Sequence, residues 1–323
     1  MALTDDLLAA YRAALRAVDG AVAVDRALRC RPVPGEAIAI LAVGKAAAAM
    51  SRGALGVLGE RVSRGLVVCP RGYAGDLDAE NIRVLESSHP VPDASSVVAG
   101  EAATAFMAAL RPGEHLLVLI SGGTSSLLEL PVAGVSVEAL SALNGQLLAE
   151  GYDIATMNGV RKALSRIKGG RLGRWLDGRP ATLLAISDVP GNALHVIGSG
   201  PLHPDPEPGR LPPELARRVR DLAGGRPNPA PKPNDPCLAG VESHVVADND
   251  TALTAAARQL REAGYRVDCP GPFLTGEVGD VAGHLAGVLT GPSAGDAVLV
   301  WGGEPTVQLP DRPGRGGRMH ALA

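Results

Sequence analysis

The sequence predicts an α/β protein with a doubly wound, mostly parallel sheet and a second, smaller α/β domain. Three observations carry that expectation. Short, continuously apolar runs recur along the chain, as strands buried on both faces do. Each run ends in glycine or a small polar residue, and a helical pattern follows. Composition is that of a folded globular chain, 46% hydrophobic and 20% charged, and 323 residues fit two domains at roughly 100–200 residues each.

In order, the N-terminal segment is amphipathic, with Leu7, Leu8, Tyr11, Leu15 and Val18 on one face, which predicts a docking helix instead of a signal peptide. AIAILAV is the first buried strand and passes through Gly44 and Lys45 into an alanine-rich helix. GLVVCPRG is the next strand. Asp93 is the expected N-cap of a helix running to Leu110. EHLLVLI is a strand that opens into SGGTSS and a further helix. MNGVRKALSRIKGG has Val160, Leu164 and Ile167 on a buried helical side, and ATLLAIS is a strand leading to Asp188.

Between Pro201 and Pro236 lie 11 of the 26 prolines, around one short helical pattern, and this reads as a domain boundary or long crossover. The expected division is 1–236 and 237–323. The second part would hold the strand HVVA, a helix with Ala252, Leu253, Ala256, Leu260 and Ala263 inward, and a last strand AVLVWGGEPTVQL. The strand and helix alternation of the first part makes it Rossmann-like.

Several function classes are excluded. Aromatic residues are 2% of the chain and the net charge is -3, so neither base stacking nor attraction to nucleic acid or anionic membrane is supported. The four cysteines form no CxxC pair, and no apolar run reaches the ~18 residues of a membrane span. A cytoplasmic protein is the expectation.

The candidate chemistry sits at strand ends. Ser121, Gly122, Gly123, Thr124, Ser125 and Ser126 form a glycine turn into a helix, suited to phosphate or carboxylate and equally to a plain tight turn. Lys45 occupies a helix start, where the dipole disfavours a cation, and lysine is scarce, with only Lys45, Lys162, Lys168 and Lys232 among 31 basic residues. Such a lysine suits a transferring phosphoryl group. Asp188 could hold Mg2+, accept a hydroxyl proton, or cap a turn. Arg161, Ser165 and Lys168 would share a helix face, with Gly169 and Gly170 forming an anion-lined loop, or the charges would be solvated. His89 is either a carboxylate or hydroxyl ligand or a turn residue. Glu304, Arg315 and Arg318 lie in GGE and GRGGR loops, and Arg318 suits phosphate recognition.

Taken in order, AVGKAAAAM, SSHPVPDASS, LISGGTSSLLELP, MNGVRKALSRIKGGRL, ISDVPGNALHVIGSGP and WGGEPTVQLPDRPGRGGR resemble the type 2 glycerate kinase family, whose C-terminal module is the MOFRL domain. The resemblance implies ATP- and Mg2+-dependent phosphorylation of D-glycerate at its 2-hydroxyl. It implies Lys45, Asp188 and Arg318 as catalytic residues, Asp188 also as a Mg2+ ligand. It places the Ser121–Ser126 loop and Glu304 at substrate or phosphate, where the residues themselves also suggest His89, Arg161 and Lys168. D-glycerate and a nucleotide are the expected partners, and a homodimer is compatible with them. Three motifs depart: GGRNQ reads GGRMH, VGD reads PGN, and GEAR reads GEVGD. The family's TDG…DGPTDAAG segment has no counterpart, so the chain is expected to be a truncated member. Two other readings stay open: an NAD(P)H-dependent hydroxypyruvate reductase, for which no GxGxxG is present, and a non-catalytic relative that keeps nucleotide or anion binding.

Overall fold

The structure is a computed structural model and describes residues 2–77, 79–207, 210–226, 228–271, 273–291, 296–307 and 317–322. The chain forms two compact units, residues 20–246 and residues 1–19 with 247–323. The elements in chain order are α1 (Ala2–Ala17), α2 (Gly20–Cys30), β1 (Ala37–Val43), α3 (Ala47–Leu58), β2 (Val62–Pro70), β3 (Ile82–Ser87), α4 (Ala94–Ala108), β4 (Glu114–Ile120) and α5 (Thr124–Leu127). There follow α6 (Val137–Ala149), α7 (Ile154–Ala163), β5 (Ala181–Ile186), α8 (Pro213–Leu222), β6 (Val241–Ala247), α9 (Asn249–Glu262), β7 (Val267–Asp268), α10 (Val278–Thr290), β8 (Val298–Leu299) and α11 (Arg318–Leu322).

The large unit is the doubly wound sheet expected from sequence, in the order β3-β2-β1-β4-β5-β6. β1 pairs parallel with β2 and β4, and β2–β3 and β4–β5 are also parallel. Helices cover both faces, so β1 (AIAILAV) and β4 (EHLLVLI) are apolar with almost no polar alternation, and two separate cores form on the two sides. Close helix contacts use glycine. A Cβ on Gly53 of α3 would lie 2.3 Å from the Ala21 carbonyl oxygen of α2. Asp93 caps α4 as expected: its carboxylate accepts from Ser95 N, and Ser96 Oγ accepts from Asp93 N.

Several expectations need revision. The compact units divide after Val246, not at 236, because β6 is the sixth strand of the first sheet and not the start of a second one. α1 belongs with the C-terminal unit, where Ala10 and Ala14 pack beside Ala256, Ala257 and Leu260 of α9. Its expected docking face is the wrong one. Leu7, Leu8, Tyr11 and Leu15 are exposed, and the alanines bring the two helices together. In α9, Ala263 is the exposed C-cap and Ala257 the buried residue. The expected last strand shrinks to Val298–Leu299, followed by isolated bridges Leu274↔Gly303 and Glu277↔Thr306.

Candidate active site

Strands β1 to β5 run in one direction, so the residues that follow them collect along one edge of the sheet. The chain winds outward through β1, β2 and β3, then returns to β4, which makes β1/β4 the topological switch point. Gly44 and Lys45 follow β1 there and Ser121–Gly123 follow β4. The ladder continues past the strand ends: Ser121 N donates to Val43 O (3.1 Å), Lys45 N to Gly122 O (2.9 Å) and Ala46 N to Ser121 Oγ (3.0 Å). Gly44, at φ 133°, permits the crossing, since a Cβ there would strike Ser121 Oγ at 2.2 Å.

Three predicted side chains meet on the two loop glycines. A Cβ built on Gly122 would lie 2.5 Å from Asp188 Oδ2, and one built on Gly123 would lie 2.9 Å from His89 Cδ2 and 3.4 Å from Lys45 Cγ. Lys45 and Asp188 are exposed, and neither the ammonium nor the carboxylate has a partner among the described residues. Burial, then the charge of Lys45, holds the His89 imidazole below its ordinary range, so it is neutral at neutral pH. Lys45 and His89 line a cavity of about 190 Å³ together with Arg71, Tyr73, Ser87 and Pro70.

The loop hydroxyls are engaged in holding its shape. Thr124 Oγ1 donates to Val43 O or Ser121 O, Ser126 Oγ donates to Gly123 O, and Ser125 Oγ shares a 2.8 Å hydrogen bond with Ser199 Oγ. Gly122 N and Gly123 N donate to no described residue, so it is these amides, and not the hydroxyls, that are open to an outside acceptor.

Lys168 is not brought to this cluster. Its side chain is 3% exposed and its ammonium pairs at 2.6 Å with Oε2 of Glu129, whose side chain is 2% exposed, while Leu128 O accepts a second bond and Ser165 Oγ donates to Glu129 Oε1. No face shared by Arg161, Ser165 and Lys168 exists, because α7 ends at Ala163 and Ser165 bridges to Pro131. Arg161 donates to Asn144 and Asn158, and burial lowers its guanidinium pKa. Gly169 and Gly170 do not line an anion loop either, since their N–H groups donate to Ser199 O (2.9 Å) and Gly200 O (2.6 Å).

Glu304 and Arg318 belong to the other unit and hydrogen-bond to each other. The WGGE glycines are there for close packing: a Cβ on Gly302 would meet Asn249, and one on Gly303 the Leu274 backbone. Residues 308–316, with Arg315, lie outside the described residues.

Sequence reasoning missed Arg71, which follows β2 at the same sheet edge and donates to Asp93 (2.9 Å). The signal was available, because CPRG is a strand end like those of Lys45 and Asp188. It also missed Glu129, whose partner lies 39 residues away.

A lysine, a carboxylate and glycine amides without a partner among the described residues, collected along one edge of a doubly wound sheet, are groups of the kind that a phosphate-handling α/β enzyme uses. The family model described as a domain of unknown function, DUF4147, matches residues 6–220. A Thermotoga maritima protein named D-glycerate 2-kinase is 32% identical over 298 residues, 88% of this chain and 70% of that one. The crystal structure of glycerate kinase from Thermotoga maritima superposes with a TM-score of 0.81 at 29% identity, covering 99% of this chain and 78% of that one. An Agrobacterium vitis protein with the provisional name hydroxypyruvate reductase is 38% identical over 301 residues, 86% of this chain and 75% of its own. The chain belongs to the glycerate kinase family and is a kinase.

Proposed function

We propose that this protein transfers the γ-phosphoryl group of ATP to the 2-hydroxyl of D-glycerate, giving 2-phosphoglycerate and ADP. The observation that carries the reading is the meeting of Lys45, His89 and Asp188 on Gly122 and Gly123. In the step, the bond between the γ-phosphorus and the β–γ bridging oxygen breaks, and the glycerate oxygen bonds to that phosphorus. ADP leaves with the bridging oxygen.

The 190 Å³ cavity suits a three-carbon acid, with neutral His89 as a hydrogen-bond partner. Lys45 neutralises charge on the phosphoryl oxygens, and the Gly122 and Gly123 amides add fixed dipoles. Asp188 accepts the hydroxyl proton or holds Mg2+. The donor set fits the metal, because Mg2+ needs only one or two protein carboxylates beside substrate phosphates and Asp188 has no protein partner among the described residues. Bound there, Mg2+ would supply charge neutralisation at the phosphates. Roles for Arg318 and Glu304 in the reaction rest on their GGR and GGE motifs. No helix among the described residues is long and apolar enough to cross a membrane. A cytoplasmic location is part of the proposal.

Coupled detection of ADP with D-glycerate tests the reading, and NMR of the product identifies the phosphorylated hydroxyl. A reductase reading has the strand order and the Agrobacterium relative in its favour. GKAAAAM after β1 supplies no dinucleotide fingerprint, and loss of NADH absorbance with hydroxypyruvate is the observation that would revive it.

A further inference from the structure

The segment that leaves β5 through Asp188 carries backbone strain at its far end. Among the described residues, three other than glycine take a left-handed backbone, Asp177, Asn192 and Ser199, and two of these lie between Asp188 and Pro201. Ser199 has φ 64° and is 5% exposed, with Gly198 and Gly200 on either side of it, both at φ 58°. Serine is disfavoured in that region, which glycine enters without steric cost. A residue held there persists only where its surroundings fix it, and such residues gather at functional sites.

What surrounds Ser199 is the glycine loop. Its Oγ shares the 2.8 Å hydrogen bond with Ser125 Oγ, its N–H donates to Val196 O (2.9 Å) and its carbonyl accepts from Gly169 N (2.9 Å). A Cβ on Gly198 would lie 2.9 Å from Thr124 Cβ, so the backbone beside Ser199 presses on the first turn of α5. At the near end of the same segment, Asp188 Oδ2 would lie 2.5 Å from a Cβ on Gly122. The segment therefore meets the loop twice, once through the carboxylate at Gly122 and once through a single hydroxyl at Ser125. Beyond Cβ, that hydroxyl is all the Ser199 side chain has. It is what a strained serine supplies here and a relaxed glycine would not.

We infer that Ser199 is a positioning residue. Its hydroxyl, bonded to Ser125, holds the segment that carries Asp188 in register against Gly122 and Gly123, and the left-handed backbone at 199 aims the hydroxyl at its partner. The effect on turnover rests on the kinase reading, through Asp188. The bracing of the loop rests on the contact between Ser125 and Ser199.

The test compares Ser199→Gly, Ser199→Ala, Ser125→Ala and the double variant Ser125→Ala with Ser199→Gly, by melting curves, the coupled ADP assay and hydrogen exchange. Glycine relieves the backbone as it removes the bond, so its Tm should stay within about 2 °C of wild type, whereas alanine keeps the strain and should melt about 2–4 °C lower. Both should lower kcat about tenfold with KM for D-glycerate changed by less than about twofold, since Lys45 and His89 are untouched. A serine with a purely structural role would make kcat follow Tm instead. Ser125→Ala should match the Ser199 variants, and the double variant should fall no further, where independent losses would multiply to about a hundredfold. The amides of Ser126 and Leu127, which donate to Gly123 O, should exchange faster in Ser199→Gly than in wild type.

A wild-type kcat in folded Ser199→Gly, multiplied losses in the double variant, or unmoved exchange at Ser126 and Leu127 would each overturn the inference, and glycerate turnover by the wild type would leave the kinase reading intact. A wild-type chain that turns over no glycerate would sink that reading, and exchange would then decide the inference by itself. Faster exchange in Ser199→Gly keeps the brace, and unchanged exchange removes it.

Discussion

Replacing Gly122 by alanine separates catalysis from folding at this site. The new Cβ would start 2.5 Å from Asp188 Oδ2, where ordinary van der Waals contact begins near 3.4 Å, so the carboxylate has to retreat by about 0.9 Å. Gly122 is not in the left-handed region, so alanine adds no backbone strain. Asp188 is exposed and can turn away, and the stability change should stay within about 0.5 kcal/mol, about 1–2 °C in Tm. A displacement near 1 Å at a reacting group can cost about 10²-fold in rate. The expected result is a kcat down roughly 10- to 100-fold in the coupled ADP assay with an almost unchanged melting curve. An unchanged kcat would refute the role given to Asp188, and a Tm drop above about 5 °C would show that the loop is held by packing we have not accounted for.

Four further outcomes are expected. Lys45→Ala should lower kcat by about 10²-fold or more at constant Tm, because the ammonium has no structural partner among the described residues; a kcat within twofold of wild type would remove it from the mechanism. Lys168→Met should destabilise the fold by about 3–5 kcal/mol in urea by stranding Glu129, and Lys168→Met with Glu129→Leu should recover most of it. Gly123→Ala, at φ 91°, should lose about 1–2 kcal/mol as well as activity, unlike Gly122→Ala. His203 is held down to about 4 by burial and then by His195, so the unfolded chain binds more protons between about pH 6.5 and 4. Stability should therefore be complete above pH 6.5 and fall by about 2 kcal/mol by pH 5, and His203→Gln should flatten that slope in denaturant titrations.

Much of the site was readable because of how parallel sheets work. Once the apolar runs are strands of one direction, whatever follows them lies at one edge, so Lys45, Asp188 and the SGGTSS loop could be grouped without coordinates. The same rule applied to CPRG would have added Arg71. The shared face expected of Arg161, Ser165 and Lys168 does not form, for a physical reason. A sequence shows charges but not partners, and the carboxylate that neutralises Lys168 sits 39 residues away on the chain. Helical spacing likewise gave α1 an apolar face without saying that its alanines would be the buried side.

The sequence by itself determined the doubly wound sheet, the strand ends that carry chemistry and the family motifs, because these depend on local apolar runs, glycines and order along the chain. Only the tertiary structure decided which polar groups are free to act. Among the described residues, Lys45, Asp188 and two glycine amides are left unpaired, while Lys168, the loop hydroxyls and the Gly169–Gly170 amides are engaged within the fold. The reason is that burial makes an unpaired polar group expensive, so the fold matches each one to a partner wherever chain crossings allow, and those crossings are not written in any local stretch of sequence.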